Sequence, residues 1–233
     1  MQLFYDSNIT ETKEFSFDKE ESKHIVRVLR KTDGDILHVT NGKGDLFTTK
    51  IMLASEKKCT VKIISVIKTN PTDYHIHLAV APTKMNERFE WFLEKATEMG
   101  VHEITTIICD RSERKIIKTE RFEKIILSAM KQSLQYFLPK LNEPITYKEF
   151  ISKNNDGNLF IAHCEETDKK LLKNSIKLKE KYTILIGPEG DFSEKEIKLA
   201  LANNYLPVSL GNTRLRTETA AIVACHSLIF ANE

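Results

Sequence analysis

Two short stretches hold residue types able to do chemistry. Ile186-Gly187-Pro188-Glu189-Gly190 closes one apolar run, and Leu210-Gly211-Asn212-Thr213-Arg214-Leu215-Arg216-Thr217-Glu218-Thr219-Ala220 closes another. Pro188 lacks a backbone donor and the flanking glycines permit unusual backbone angles, so a strand reaching Gly187 must turn there. Loops at strand ends beside helix N-termini are where α/β proteins hold ligands. A proline in the loop gives a phosphate one amide fewer, so close backbone approach here suits an adenine and a ribose better than a pyrophosphate. Neither Gly-x-Gly-x-x-Gly after a strand nor Gly-x-x-x-x-Gly-Lys-Ser/Thr occurs in the chain, which sets aside the common nucleotide loops. Arg214, Arg216 and Glu218 read two ways. They form a charged wall around a pocket, or a helix start with Glu218 set against the dipole.

Positioning such loops requires alternating elements. From residue 74 onward, strands are expected at 75–81, 103–109, 159–164, 183–186 and 207–210. Met85, Phe89, Phe92, Ala96 and Met99 recur at helical spacing, with Gly100 as the C-cap and Trp91 packed between core positions. Further helices are expected over 121–137, after the Ser193-Glu194-Lys195-Glu196 capping box, and over 217–230. The alternation predicts an α/β fold, a mostly parallel sheet with helices on both faces. The last helix is apolar on more than one side, so part of it, including some of Ile222, Leu228 and Ile229, is expected in a two-fold dimer interface.

The first seventy residues read differently. Strands at 35–40 and 46–51 flank the turn Asn41-Gly42-Lys43-Gly44, a third strand runs over 59–66, and a helix over 20–30 precedes the hairpin. This predicts a small β-barrel-like domain over 1–70, a linker at 68–73 and a second domain over 74–233. On that helix Lys23, Arg27, Arg30 and Lys31 would form one basic stripe while Ile25, Val28 and Leu29 face the core. The bland reading of the stripe is a solvated face; the sharper one, with Lys43 on the hairpin, is phosphate contact. A second basic cluster, Arg111, Arg114, Lys115 and Lys118, follows the strand ending at Cys109.

Net charge is only +2, so nucleic-acid binding would have to come from such local patches. No apolar run reaches the ~18 residues of a membrane span, and residues 1–6 show no basic region leading into an apolar stretch. A cytoplasmic protein is expected, with Cys59, Cys109, Cys164 and Cys225 as buried reduced thiols. His75 and His77 share a strand face but are too few for a metal site, and none is expected.

Several stretches together carry a resemblance. His24-x-x-x-Val28-Leu29-Arg30, Glu90-Trp91-x-x-x-Lys95-Ala96-Thr97-Glu98-Met99-Gly100-Val101, Gln132-Ser133, the Ile186–Gly190 loop, and the 210–220 segment with Arg216-Thr217-Glu218-Thr219-Ala220 at its core are similar to the RsmE family of ribosomal RNA uridine methyltransferases, in the knotted SPOUT superfamily. The family more often has a basic then an aliphatic residue where this chain has Thr213-Arg214. The resemblance implies an N-terminal PUA-like β-barrel domain and a C-terminal SPOUT α/β trefoil-knot domain with a parallel sheet. It implies S-adenosylmethionine held by His163, Cys164 and Glu165, by Ile186, Gly187, Glu189 and Gly190, and by Leu210, Gly211, Leu215, Arg216 and Thr219. It implies methylation of N3 of a uridine in the decoding region of small-subunit (16S) rRNA by a homodimer. Arg216 is the expected stabiliser of the uridine anion, with Arg111 behind it, and Glu218 a second catalytic candidate. Lys23, Arg27, Arg30, Lys31, Lys43, Arg111 and Arg114 are the expected RNA contacts, with 16S rRNA or the small subunit as partner. An alternative is a non-catalytic RNA-binding ribosome-assembly factor on the same fold, which the intact cofactor loops argue against.

Overall fold

The computed structural model describes residues 1–153, 156–165 and 168–233. The chain divides into two compact units, one of residues 1–71 with 130–138, the other of 72–129 with 139–233.

In the first unit, β1 (Leu3–Tyr5), β2 (Glu14–Ser16), β3 (Ile36–Thr40), β4 (Asp45–Leu53) and β5 (Thr60–Lys68) form one sheet in the order β1-β3-β4-β5-β2. β1 runs parallel to β3 and the other pairs are antiparallel. Two register shifts in the long β4–β5 pair bend the ribbon over its core. That core includes Phe4, Phe17, Ile25, Leu37, Phe47 and Val61. β1 and β2 are three residues long, too short to show a period, and sequence reading missed both. The segment 130–138 completes the unit: Gly44 donates to the Tyr136 carbonyl at 2.9 Å and Leu138 to that of Gly42, also at 2.9 Å. A Cβ on Gly44 would lie 2.4 Å from the Phe137 ring, so only glycine lets that ring close on the turn.

The helix expected over 20–30 is α1 (Lys19–Lys23), capped by Asp18, followed by a π-helical turn at His24–Val28. Arg30 then stands at φ +54°. The wider π turn rotates the following residues relative to an α-helix, and the predicted faces change. Ile25 is fully buried and Leu29 packs on the core, as expected, but Val28 is 65% exposed and Val26 packs in its place.

In the second unit, β6 (His75–Val80), β7 (Glu103–Ile108), β8 (Lys140–Thr146), β9 (Asn158–Ala162), β10 (Lys170–Leu171), β11 (Lys181–Ile186) and β12 (Leu206–Ser209) make a seven-stranded sheet in the order β10-β12-β9-β11-β6-β7-β8. Every pair is parallel. Its central strands are buried on both faces, hence their near-continuous Ile, Leu and Val. α2 (Asn86–Met99) packs on α6 (Thr217–Asn232), which also touches β6 and β11. The core on the opposite face includes Phe150 and Ile151 of α4 (Tyr147–Ser152) and Ile197 and Ala200 of α5 (Glu194–Ala202), with Phe192 beside them. α3 (Thr119–Gln132) stops five residues before the expected end, and Leu134 at φ +59° lies just beyond it.

α2 ends as predicted on a left-handed Gly100, φ +94°, whose amide reaches back to the Ala96 and Thr97 carbonyls. Phe89, Phe92 and Ala96 are buried, but Trp91 is 45% exposed: it points away from the stripe it was expected to join. β8 was missed because Pro144 argues against a strand, and proline is tolerated there because β8 is an edge. α4 was missed although Thr146 and Glu149 form a complete capping box. Of the cysteines, Cys59, Cys109 and Cys225 are buried as expected, but Cys164 is exposed. Burial pushes the Cys59 thiol up to about 11 and that of Cys225 up to about 12. Leu228 and Ile229, expected in part at a dimer interface, lie in the chain's own core; Ile222 is half-buried, and Phe230 is 70% exposed. No helix among the described residues is long and apolar enough to cross a membrane.

Candidate active site

β9 lies between β12 and β11, so the loops that leave these three strands emerge side by side at the carboxyl edge of the sheet. This is the edge where parallel α/β sheets bind ligands. The loops carry the segments singled out in the sequence: His163 to Glu165 after β9, Ile186 to Gly190 where β11 ends, and Leu210 to Arg216 after β12.

A cavity of about 440 Å³ opens there, within the size range of small-ligand sites. Of the expected cofactor residues, His163, Cys164, Leu210, Gly211 and Leu215 line it. So do Lys169 and Ser209, which sequence reading did not single out, and Ala220 at the end of the 210–220 segment. Lys169 carried no periodicity or motif that could have revealed it. Its ammonium donates to the carbonyls of His163 and Glu165 and braces their loop. Ser209 donates to the Gly211 carbonyl at 2.8 Å. The lining mixes aliphatic surface with backbone polar groups and has no glycine-rich cradle for a phosphate.

His163 is 7% exposed, and among the described residues neither ring nitrogen has a hydrogen-bond partner. Burial, helped by the Lys169 charge, holds its pKa below the ordinary histidine value. The ring is therefore neutral at pH 7 and offers one donor and one acceptor to whatever fills the cavity. A buried polar group left unpaired costs about 1–3 kcal/mol, so a bound ligand that paired with it would recover that energy.

The loop after β11 is fastened on every side. Thr217, in the first turn of α6, donates its buried hydroxyl to the Gly187 carbonyl at 3.0 Å. The Glu189 carboxylate, expected near the ligand, accepts from the Lys84 amide at 2.9 Å. Arg111 donates to the Gly190 carbonyl at 2.8 Å and to that of Phe192 at 3.3 Å. Ser193 caps α5 in a reciprocal box with Glu196 and donates to Asp110 at 2.7 Å. Gly187 meets Phe192 rather than open space: a Cβ there would lie 3.1 Å from two atoms of that ring.

The charged residues separate. Arg216 is the exposed N-cap residue of α6, and Arg214 is exposed at the cavity lining. Glu218 is 8% exposed and lies 3.8 Å from the Arg88 guanidinium, so its carboxylate faces α2. Thr219 is half-buried in the same turn. Arg114 is half-buried, stands 5.9 Å from the Phe122 ring centre, and has its pKa lowered by burial. Arg111 and Arg114 are thus held by the fold. In the first unit Lys23, Arg27, Arg30 and Lys43 are exposed and Lys31 half-exposed. The π turn and the left-handed Arg30 break the single helical stripe, leaving a cluster on a helix end and the turn after it.

A larger groove, about 630 Å³, opens at the opposite, amino ends of β6, β7 and β11. Its charges satisfy one another: Lys140 bonds Glu103 at 3.0 Å, Lys181 bonds Asp156 at 2.7 Å, and Asn142 bridges Glu103 and Thr105. Size alone favours this groove, but the unpaired imidazole and the convergent loops mark the smaller cavity. Among the described residues no group of three or more His, Cys, Asp or Glu could hold a metal ion.

Comparison with known proteins agrees with this geometry. The RNA methyltransferase domain family matches residues 69–229, and the RNA methyltransferase PUA domain family matches 17–64. The ribosomal RNA small subunit methyltransferase E of Buchnera aphidicola is 32% identical over 92% of this chain and 87% of its own length. A probable rRNA-methyltransferase from Porphyromonas gingivalis superposes with a TM-score of 0.89 at 40% identity, covering 98% of each chain. A Legionella pneumophila protein solved in complex with the bound cofactor SAM superposes at 0.88 with 32% identity, over 99% of this chain and 97% of that one. With two family models spanning both units and a full-length relative above thirty per cent identity, this chain belongs to the ribosomal RNA small subunit methyltransferase E family.

Proposed function

We propose that this protein transfers a methyl group from S-adenosylmethionine to N3 of a uridine in the decoding region of 16S rRNA, acting as a cytoplasmic homodimer. The observation that carries the reading is the cavity at the ends of β9 and β12, with His163 unpaired among the described residues and no phosphate cradle. Such a lining suits a nucleoside with an amino-acid tail and no phosphate. When bound, S-adenosylmethionine supplies an electrophilic methyl group. His163, the backbone around Leu210 and Gly211, and the side chain of Leu215 would hold it.

The rest is work for the chain's own residues. N3 of uridine carries a proton and is a poor nucleophile until that proton leaves. The anion then spreads over the two flanking carbonyl oxygens. Arg216, exposed and next in sequence to the lining residue Leu215, presents a fixed fork of donors suited to that charge. Glu218 faces Arg88 and acts by holding the first turn of α6 on α2. Arg111 acts through the loop carbonyls it binds. The target base is blocked when paired, so the uridine enters unpaired or flipped. Lys23, Arg27, Arg30, Lys31 and Lys43 supply phosphate contacts that place the RNA. The α6 surface carrying exposed Phe230, stacked on His226 at 5.6 Å, supports the dimer. The knot implied by the family resemblance would thread the 210–216 loop through the loop after β11, and the Thr217–Gly187 bond supports that reading.

The test is methyl transfer from labelled S-adenosylmethionine to small subunits and to free 16S rRNA lacking the mark, with the product nucleoside identified by mass spectrometry. Label in 3-methyluridine at one position is expected. Label in another nucleoside would reject the N3 assignment. Absence of transfer, with RNA still bound, would favour the assembly-factor reading.

A further inference from the structure

One residue after Gly190 is held in a conformation that its side chain explains. Asp191 stands at φ +62°, in the left-handed region that residues with a Cβ seldom occupy. Its amide donates to the Pro188 carbonyl at 2.9 Å, closing the turn. Its two carboxylate oxygens then take separate donors. Oδ2 accepts from the Cys164 amide at 2.8 Å, and Oδ1 accepts from the Phe192 amide, also at 2.8 Å. Cys164 belongs to the loop after β9 and Asp191 to the loop after β11. A single side chain therefore ties the 163–165 loop, whose His163 and Cys164 line the cavity, to the neighbouring turn after β11, which stands outside the lining. Charge-assisted bonds of this kind are about twice as strong as neutral ones.

Among the described residues few other bonds hold the loop it reaches. Among the described residues His163 makes no side-chain hydrogen bond, Cys164 is exposed, and Lys169 braces the loop through the carbonyls of His163 and Glu165. The Cys164 amide is thus the point at which the loop meets the rigid turn after β11.

We propose that Asp191 is a positioning residue of the cofactor site, the clasp that holds the 163–165 loop against the 187–192 loop and thereby sets affinity for S-adenosylmethionine. The inference rests on the cofactor reading above. It makes Asp191 a determinant of binding rather than of the methyl transfer step. A residue that fixes the walls equally for ground state and transition state changes KM and leaves kcat at saturation alone.

Two variants test it in the full-length protein. D191G removes the carboxylate while easing the backbone, since glycine accepts the positive φ at no steric cost. D191N keeps one acceptor for the Cys164 amide and tolerates the same φ. Calorimetric titration with S-adenosylmethionine, thermal melting without it, and hydrogen exchange of the 163–165 peptide are the readouts. For D191G we expect affinity to fall on the order of tenfold, exchange to quicken at 163–165, and the melting temperature to hold or rise. D191N should lie close to wild type. A folded D191G that binds S-adenosylmethionine as wild type does would overturn the clasp, as would a D191N as weak as D191G. Wild-type protein that fails to bind S-adenosylmethionine would instead overturn the cofactor reading, and the clasp with it.

Discussion

Gly187→Ala separates two accounts of why this position lacks a side chain. If the glycine exists to admit the cofactor, a methyl group should block binding and leave the fold intact. The structure points the other way. The Cβ would sit 3.1 Å from two ring atoms of Phe192 and 3.2 Å from its backbone nitrogen, tighter than ordinary contact. Phe192 is fully buried and packs on Tyr147 with ring centres 5.4 Å apart, so it has nowhere to retreat. Overpacking of this kind costs about 1–3 kcal/mol, which for a protein of this size lowers Tm by roughly 2–12 °C. The assay is thermal melting of the variant beside calorimetric titration with S-adenosylmethionine. A lowered Tm, with affinity reduced only in proportion to the loop's disturbance, is expected. A variant that melts like wild type yet no longer binds S-adenosylmethionine would refute the packing argument and restore the cofactor-clearance one. Gly187→Val, larger still, is expected to damage folding before it reports on binding.

Replacing Arg27 and Arg30 by alanine should weaken rRNA binding and flatten its salt dependence by about one log unit of slope per lost phosphate contact; an unchanged slope would make the cluster a solvated surface. Burial holds His77 and His102 neutral, each with its pKa down to about 4, while in the unfolded chain both titrate near 6.5. The unfolded state therefore takes up more protons between those values, so stability present above pH 6.5 should be lost progressively towards pH 4. His77→Gln should make that loss shallower in denaturant titrations across the range, and an unaltered slope would show that His77 does not carry it. Phe230→Asp should yield a folded monomer in light scattering, whereas Ile229→Asp should lower the melting temperature sharply because Ile229 is 6% exposed within its own chain; a Phe230→Asp protein that remains dimeric would remove α6 from the interface.

The sequence disclosed the parts of this fold that obey a period or a motif. Phe89, Phe92 and Ala96 showed α2, Gly100 its end, and Ser193 with Glu196 the start of α5, because local geometry there depends on local residues. The loops after β11 and β12 were legible for the same reason, since each stands where a strand must stop, whereas His163 to Glu165 came from the family resemblance alone. What stayed hidden depends on distant partners. The two short edge strands β1 and β2 owe their form to neighbours in the sheet rather than to their own composition. The π turn at His24–Val28 moved Val28 outward and Val26 inward, which an assumption of 3.6 residues per turn could not foresee. Glu218 and Arg111 were singled out for their charge, yet their partners, Arg88 and the Gly190 carbonyl, come from elements far along the chain. Trp91 shows the opposite failure, since a large aromatic ring beside a buried stripe need not join it.

The composition of the first unit has a consequence for how the protein is made. Residues 1–71 are synthesised early, but the stretch 130–138, whose Tyr136 and Leu138 bond the turn at Gly42 and Gly44, appears only after half the chain has been translated. Until then the hairpin lacks the Phe137 ring that fits against its glycine. A fragment ending at Pro71 would therefore emerge with an uncovered seam, open to chaperones or to the wrong strand. The second unit waits longer still, because β12 and α6 follow its other elements in the sequence and Gly187 gains its Thr217 partner only with α6. Neither unit can therefore be finished before residue 138 has left the ribosome.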